Sequence, residues 1–296
     1  MTEYETTFEK ASIWAVVWRF LLIALGVVII GVFLLLAFMG ENLTLVSLIT
    51  DGLLYFSLYK LTLTLMKRQS LSVKALSRPA SYSRGNILNL LGLTALTAFV
   101  ATSFMYFIIT FLTFFPQLFD RVMPYILDIT LVEDMSYVYL VFVAVVFAPI
   151  VEELFFRGYI LNKWADKYGV KLGVILSSLA FMIIHLRSVF IPQLLVGLIC
   201  GLLYVKYNNL LYAIFFHALY NLFVILPSLF IQSGSSEETQ AAFLGVRDSL
   251  PLEFSIFSLL FLISFAFLIY FLKNLFKKVR TRKSPYAINV QKIEEY

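Results

Sequence analysis

The 296 residues are 61% apolar and 17% aromatic, and only 14% are charged. Ordinary soluble domains are roughly a quarter charged, so this depletion, with the apolar residues gathered in long blocks, excludes a soluble enzyme and describes a polytopic membrane protein. The formal net charge of +5 does not signal nucleic acid, because Lys and Arg cluster in short stretches between the apolar blocks and act there as topology signals.

Residues 1–12 are polar, and a first apolar span follows from Ile13 to Met39, long enough to cross a bilayer. A second runs from Leu43 to Met66. It contains Asp51, read as a carboxylate near the outer surface or capping a helix start at Thr50 to Gly52, and Lys60, whose stem can reach the interface. Residues 67–86 carry Lys67, Arg68, Lys74, Arg78 and Arg84 without an acid, the mark of a cytoplasmic loop. A third span covers Ile87 to Phe115. The segment after it, with Asp120, Asp128, Glu133 and Asp134, is mainly acidic and suits the outer side.

A fourth span from Ser136 to Ile160 leads into a basic loop at Lys163 to Lys171. The fifth and sixth, Val170 to Leu186 and Val189 to Tyr204, are short for a crossing and suggest tilt or partial re-entry. A seventh runs from Leu210 to Ile231. The loop with Gly234, Glu237 and Glu238 is acidic, the eighth span covers Phe254 to Phe276, and the tail from Lys273 to Lys283 is strongly basic. The expectation is an all-α polytopic membrane protein of about eight transmembrane helices around a polar intramembrane cavity. It divides into a cytoplasmic tail (1–12), a transmembrane domain (13–276) and a basic, solvated cytoplasmic tail (277–296), with both termini and every basic loop on the cytoplasmic side. Cys200 is the single cysteine, so no intramolecular disulfide forms, and its apolar neighbours favour a packed thiol over a nucleophile.

Charge inside an apolar span costs at least about 2.5 to 3.5 kcal/mol per residue on insertion scales, so the stretch from Ala148 to Gly158, with Glu152, Glu153 and Arg157, requires a reason. Glu153 and Arg157 stand four apart with the acid first, the favourable order for a same-face pair. Glu152 points about 100° away and requires its own partner. Both histidines of the chain, His185 and His217, fall in apolar segments. His185 shares a helix face with Phe181, and His217 shares one with Asn221. A glutamate, two histidines and an asparagine on three spans make a candidate convergent site. The same residues in a transporter would form a proton relay, but no inverted repeat accompanies them.

Glu-Glu-x-x-x-Arg (Glu152, Glu153, Arg157), Phe-x-x-x-His (Phe181, His185) and His-x-x-x-Asn (His217, Asn221), in this order on successive spans, resemble the CPBP family of intramembrane proteases. That group, also called Abi, holds the type II CAAX prenyl endopeptidases, bacteriocin-processing proteins and bacteriocin immunity proteins. The resemblance covers about residues 140–225. It implies that Glu152 and His185 activate water, that His217 and Asn221 stabilise the oxyanion, and that Glu153, Arg157 and Phe181 support the site. It also implies a membrane-associated peptide or protein substrate in contact with lipid, no nucleic acid, and a bacterial plasma membrane. A non-catalytic membrane regulator or immunity protein of the same fold is the alternative. Glu152, His185 and His217 equally suit zinc with water in the fourth position, although the His-Glu-x-x-His helix of many metalloproteases is missing. Metal-free and metal-dependent hydrolysis both stand at this level.

Counted inward from the cytoplasmic ends of these spans, Glu152 lies near the inner face and His185 about 20 Å higher. Their meeting requires either that the fifth helix begins below the membrane or that the helices tilt strongly. Hydrolysis requires water, and a conical cavity open toward the cytoplasm is expected to supply it.

Overall fold

The computed structural model describes residues 4–38, 43–77, 84–130, 141–185, 190–230, 250–279 and 283–294. Among them every regular element is helical, apart from an isolated bridge between Ser77 and Asn209. In chain order these are α1 (Ile13–Ala37), α2 (Leu43–Arg68), a 3₁₀ turn (Val73–Leu76), α3 (Arg84–Leu112) and α4 (Pro116–Thr130). Next comes α5, one continuous helix of alternating pitch: π over Val141–Phe147, α over Ala148–Glu153, π over Leu154–Leu161 and α over Asn162–Tyr168. Then follow α6 (Val170–Ile184), α7 (Phe190–Tyr207), α8 (Leu210–Phe230), α9 (Leu250–Lys278) and α10 (Pro285–Glu294). The acidic residues Glu133, Asp134, Glu237 and Glu238, and the basic residues Arg78, Arg280 and Arg282, lie outside the described residues.

Among the described residues three helices are long and apolar enough to cross a membrane, Ile13–Ala37, Asn86–Leu112 and Phe254–Lys277, while α6, α7 and α8 supply shorter apolar stretches. The flank of α1 exposes Leu21, Leu22, Leu25, Val28, Ile29 and Phe33. Water does not tolerate such a continuous apolar face, and lipid does. Ser12 starts this helix by accepting the Ala15 N–H at its Oγ.

The structure corrects the boundary expected at Ile160. The chain from Lys163 to Tyr168 continues α5, and the reversal into α6 takes place at Gly169, whose φ of +88° is open to glycine. From Glu152 to Tyr168 α5 runs about 24 Å, and α6 climbs back about 22 Å to His185. The two residues therefore reach one level, and the expected 20 Å separation disappears. The other correction concerns the basic stretches and the two tails. Phe8, the 3₁₀ turn and Tyr286 pack against the Asn162 end of α5 and form a common floor. Tyr286 receives the Ser72 N–H at its hydroxyl, donates that hydroxyl to Glu5 C=O, and donates its N–H to Asn162 Oδ1. Asn289 Nδ2 donates to Ala75 C=O and Asn208 C=O. Residues 283–294 are therefore packed rather than a solvated flank.

α5 and α6 touch backbone to backbone, because a Cβ on Gly173 would lie 2.8 Å from Ala165 N and 2.9 Å from Ala165 Cα. Small residues that admit such an approach are the usual means of packing membrane helices. Gly173→Ala is expected to lower stability by about 1–3 kcal/mol by forcing these helices apart. Thermal melting in detergent checks this, and an unchanged midpoint would show that the contact can relax freely.

Candidate functional site

The site is assembled where α5 changes pitch. At 100° per residue Glu152 and Glu153 cannot face the same neighbour, and the structure separates them. Glu152, 4% exposed, borders a cavity, whereas Glu153 and Arg157 are fully buried behind it. The expected i,i+4 pair is present: Arg157 Nη1 donates to Glu153 Oε1 at 2.8 Å. Arg157 Nη2 donates to Gly197 C=O at 2.9 Å, and the guanidinium carbon sits 4.7 Å from the centre of the Phe181 ring. One cation thereby fastens α5 to α7 and to α6, and Phe181 acts as the apolar plate between Arg157 and the histidines.

His185 is the residue at which α6 ends. The last carbonyls of a helix have no partner within it, and Phe181 C=O is paired with His185 Nδ1 at 2.8 Å. A carbonyl accepts only, so Nδ1 carries the proton and Nε2 presents its lone pair, 3.7 Å from Glu152 Oε2. His217, on α8 and 3% exposed, behaves in parallel. Its Nδ1 is 2.8 Å from Glu153 Oε1 and its Nε2 is 3.9 Å from Glu152 Oε2. Both imidazoles thus turn Nε2 toward one carboxylate oxygen at distances too long for a direct hydrogen bond and suited to a bridging species. The short contact of His217 is to Glu153 and its long one is to Glu152.

Asn221 lies one turn along α8 from His217, and its Nδ2 donates to Ala144 C=O at 2.7 Å. In a π-turn that carbonyl looks to the N–H of residue 149, which is Pro149 and has none. Asn221 fills the gap with one of its two amide hydrogens, and the second remains to address the cavity.

The cavity has a volume of about 340 Å³. Besides Glu152, both histidines and Asn221, its wall contains Asp51, Tyr55 and Gln193. Sequence reasoning missed these three. Tyr55 donates its hydroxyl to Glu152 Oε1 at 3.1 Å and positions that carboxylate. Asp51 stands one turn before Tyr55 and well inside α2, where Thr50 is already hydrogen-bonded to Val46 C=O and Ser47 C=O. It does not cap a helix start. An acid inside an apolar span was the available signal, and its i+4 neighbour would have led to Tyr55.

A different trio, Glu153, Cys200 and His217, brings its ligand atoms within 4.8 Å of one another. The Arg157 guanidinium, 2.8 Å from Glu153 Oε1, already supplies positive charge beside this trio, which works against a second cation there. The set of Glu152 Oε2 with two Nε2 lone pairs does fit a divalent metal in kind and direction.

Residues 134–223 match the family described as type II CAAX prenyl endopeptidase Rce1-like. No curated protein and no solved structure matches the chain.

Proposed function

We propose that this chain, whose residues 134–223 are those of the CPBP/CAAX protease family, is an intramembrane endopeptidase that hydrolyses a peptide bond in a membrane-associated peptide or protein. The observation that carries the reading is the convergence of His185 Nε2 and His217 Nε2 on Glu152 Oε2 at 3.7 and 3.9 Å beside a polar cavity. Water held between Glu152 and His185 gives its proton to Glu152 while its oxygen bonds to the scissile carbonyl carbon. The second Nδ2 hydrogen of Asn221 donates to the oxygen that becomes negative, a contribution of about 2.7–4 kcal/mol per donor in comparable sites, and His217, oriented by Glu153 at Nδ1, stabilises the same oxygen. When the C–N bond breaks, Glu152 returns its proton to the leaving amine. Tyr55, Glu153, Arg157 and Phe181 are positioning residues. A zinc ion would be held by Glu152, His185 and His217 and would supply Lewis acidity there.

The full reading has eight crossings, adding α2 and α5 to the three long and three shorter apolar helices. It comprises a membrane domain over residues 13–276 with flanking tails, both termini in the cytoplasm, and a bacterial plasma membrane. The basic stretches around 67–86, 163–171 and 273–283 support that orientation.

The test compares peptide termini in membranes from cells making the native protein or Glu152→Ala at matched levels. Products that vanish with Glu152→Ala are expected, and they report the cleavage sequence at the same time. Identical termini, with a phenotype that survives the substitution, would replace the enzyme by a non-catalytic membrane regulator of the same fold. Treating the purified protein with a zinc chelator is expected to leave cleavage intact, and loss restored by added zinc would instead establish the metal-dependent route.

A further inference from the structure

The wall of the cavity has a direction. On α2 it consists of Asp51 and Tyr55, on α5 of Val143, Ala144, Ala148 and Glu152, and on α8 of residues from His217 onward to Val224 and Ile225. On each helix the wall runs from the reacting residues away from the end that holds the two tails. Toward the tails the same helices are closed. Glu153, Phe156, Arg157, Tyr159 and Asn162 are buried below Glu152, and beneath them lies the floor of Phe8, the 3₁₀ turn and Tyr286. Among the described residues the cavity wall and the two tails therefore lie at opposite ends of the bundle. A cavity open to the cytoplasm and cytoplasmic termini, both expected from the sequence, exclude each other.

Charge decides between them. The stretches at the tail end (1–12, 67–86, 162–171, 206–209 and 273–296) contain 17 of the chain's 23 Lys and Arg. The stretches joining helices at the other end (39–42, 113–140, 186–189 and 231–249) contain three basic residues against eight acidic ones. So steep a bias in short connections sets the tail end in the cytoplasm.

We infer that the cavity is loaded from the side of the membrane opposite the cytoplasm, so that its substrate is a segment that has already crossed: the outer part of a membrane-anchored or exported polypeptide. Translocation is then the step that supplies the substrate, and a prenylated cytoplasmic tail is excluded by its location. The word substrate rests on the endopeptidase reading above. The sidedness rests on geometry and charge alone, and its test does not involve catalysis.

In a Cys200→Ser background, which removes the single buried thiol, single cysteines are placed at Val224 or Gln193 in the cavity wall and at Lys167 on the opposite end. Cys200→Ala serves if serine unsettles the packing. Intact cells are treated with a membrane-impermeant maleimide before and after permeabilisation. Val224→Cys and Gln193→Cys are expected to label fully in intact cells, with no gain on permeabilisation, and Lys167→Cys to label only after it. A reporter fused after Tyr296 is expected to fluoresce as green fluorescent protein and to be inactive as alkaline phosphatase. Labelling of the cavity positions only after permeabilisation, or at neither stage, would overturn the inference, as would an active phosphatase fusion. Labelling as expected together with unchanged termini in Glu152→Ala cells would sink the endopeptidase and leave the sidedness standing.

Discussion

Glu152→Gln is expected to lower the single-turnover cleavage rate by about 10²- to 10⁴-fold, the usual contribution of a positioned general base, while melting in detergent stays within about 1 kcal/mol of the native protein. Glutamine has the same shape, and its amide oxygen still accepts the Tyr55 hydroxyl that now reaches Glu152 Oε1. What it loses is the capacity to take a proton from water between Oε2 and the two Nε2 atoms. Glu152 lines the cavity rather than the packed interior, so little else depends on its charge. Cleavage at the native rate would remove it both as base and as ligand.

The opposite pattern is expected of Arg157. Arg157→Ala should cost about 3–5 kcal/mol and sharply reduce the yield of folded protein, because it leaves Glu153, fully buried, as a charge without its guanidinium. It also removes the bond to Gly197 C=O and the plate contact with Phe181, so α5, α6 and α7 lose one fastening together. Arg157→Lys restores the charge but cannot span both Glu153 and Gly197 as the planar fork does, and should recover only part of the stability. Size-exclusion profile and melting midpoint are the measurements. A well-folded Arg157→Ala protein that has lost activity alone would move Arg157 into contact with the reacting atoms.

These two expectations differ because neighbouring residues of one helix face different surroundings, and that difference was legible in the sequence. A spacing of four pairs Glu153 with Arg157, and a rotation of 100° sets Glu152 apart from both. Helical class, the apolar blocks, and His185 and His217 as polar residues within them follow from composition and periodicity, which are local properties. The Glu153 contact of His217 was not legible, since nothing in the spacing of α8 says which carboxylate of α5 it meets.

The sequence by itself determined that this is a helical membrane protein with a small intramembrane polar set of Glu152, Glu153, Arg157, His185, His217 and Asn221, because the cost of burying charge in an apolar span marks such residues wherever they fall. Only the tertiary structure decided how they meet and toward which end of the bundle their cavity lies. The reversal at Gly169 lies beyond the point where the hydropathy falls, since a helix continues through polar residues as long as its hydrogen bonds do. Those additional turns bring His185 level with Glu152. Likewise Asp51 and Tyr55 belong to a helix remote in sequence, and the buried floor under Glu152 closes one end of the bundle. Long-range packing, which has no period along the chain, makes these choices.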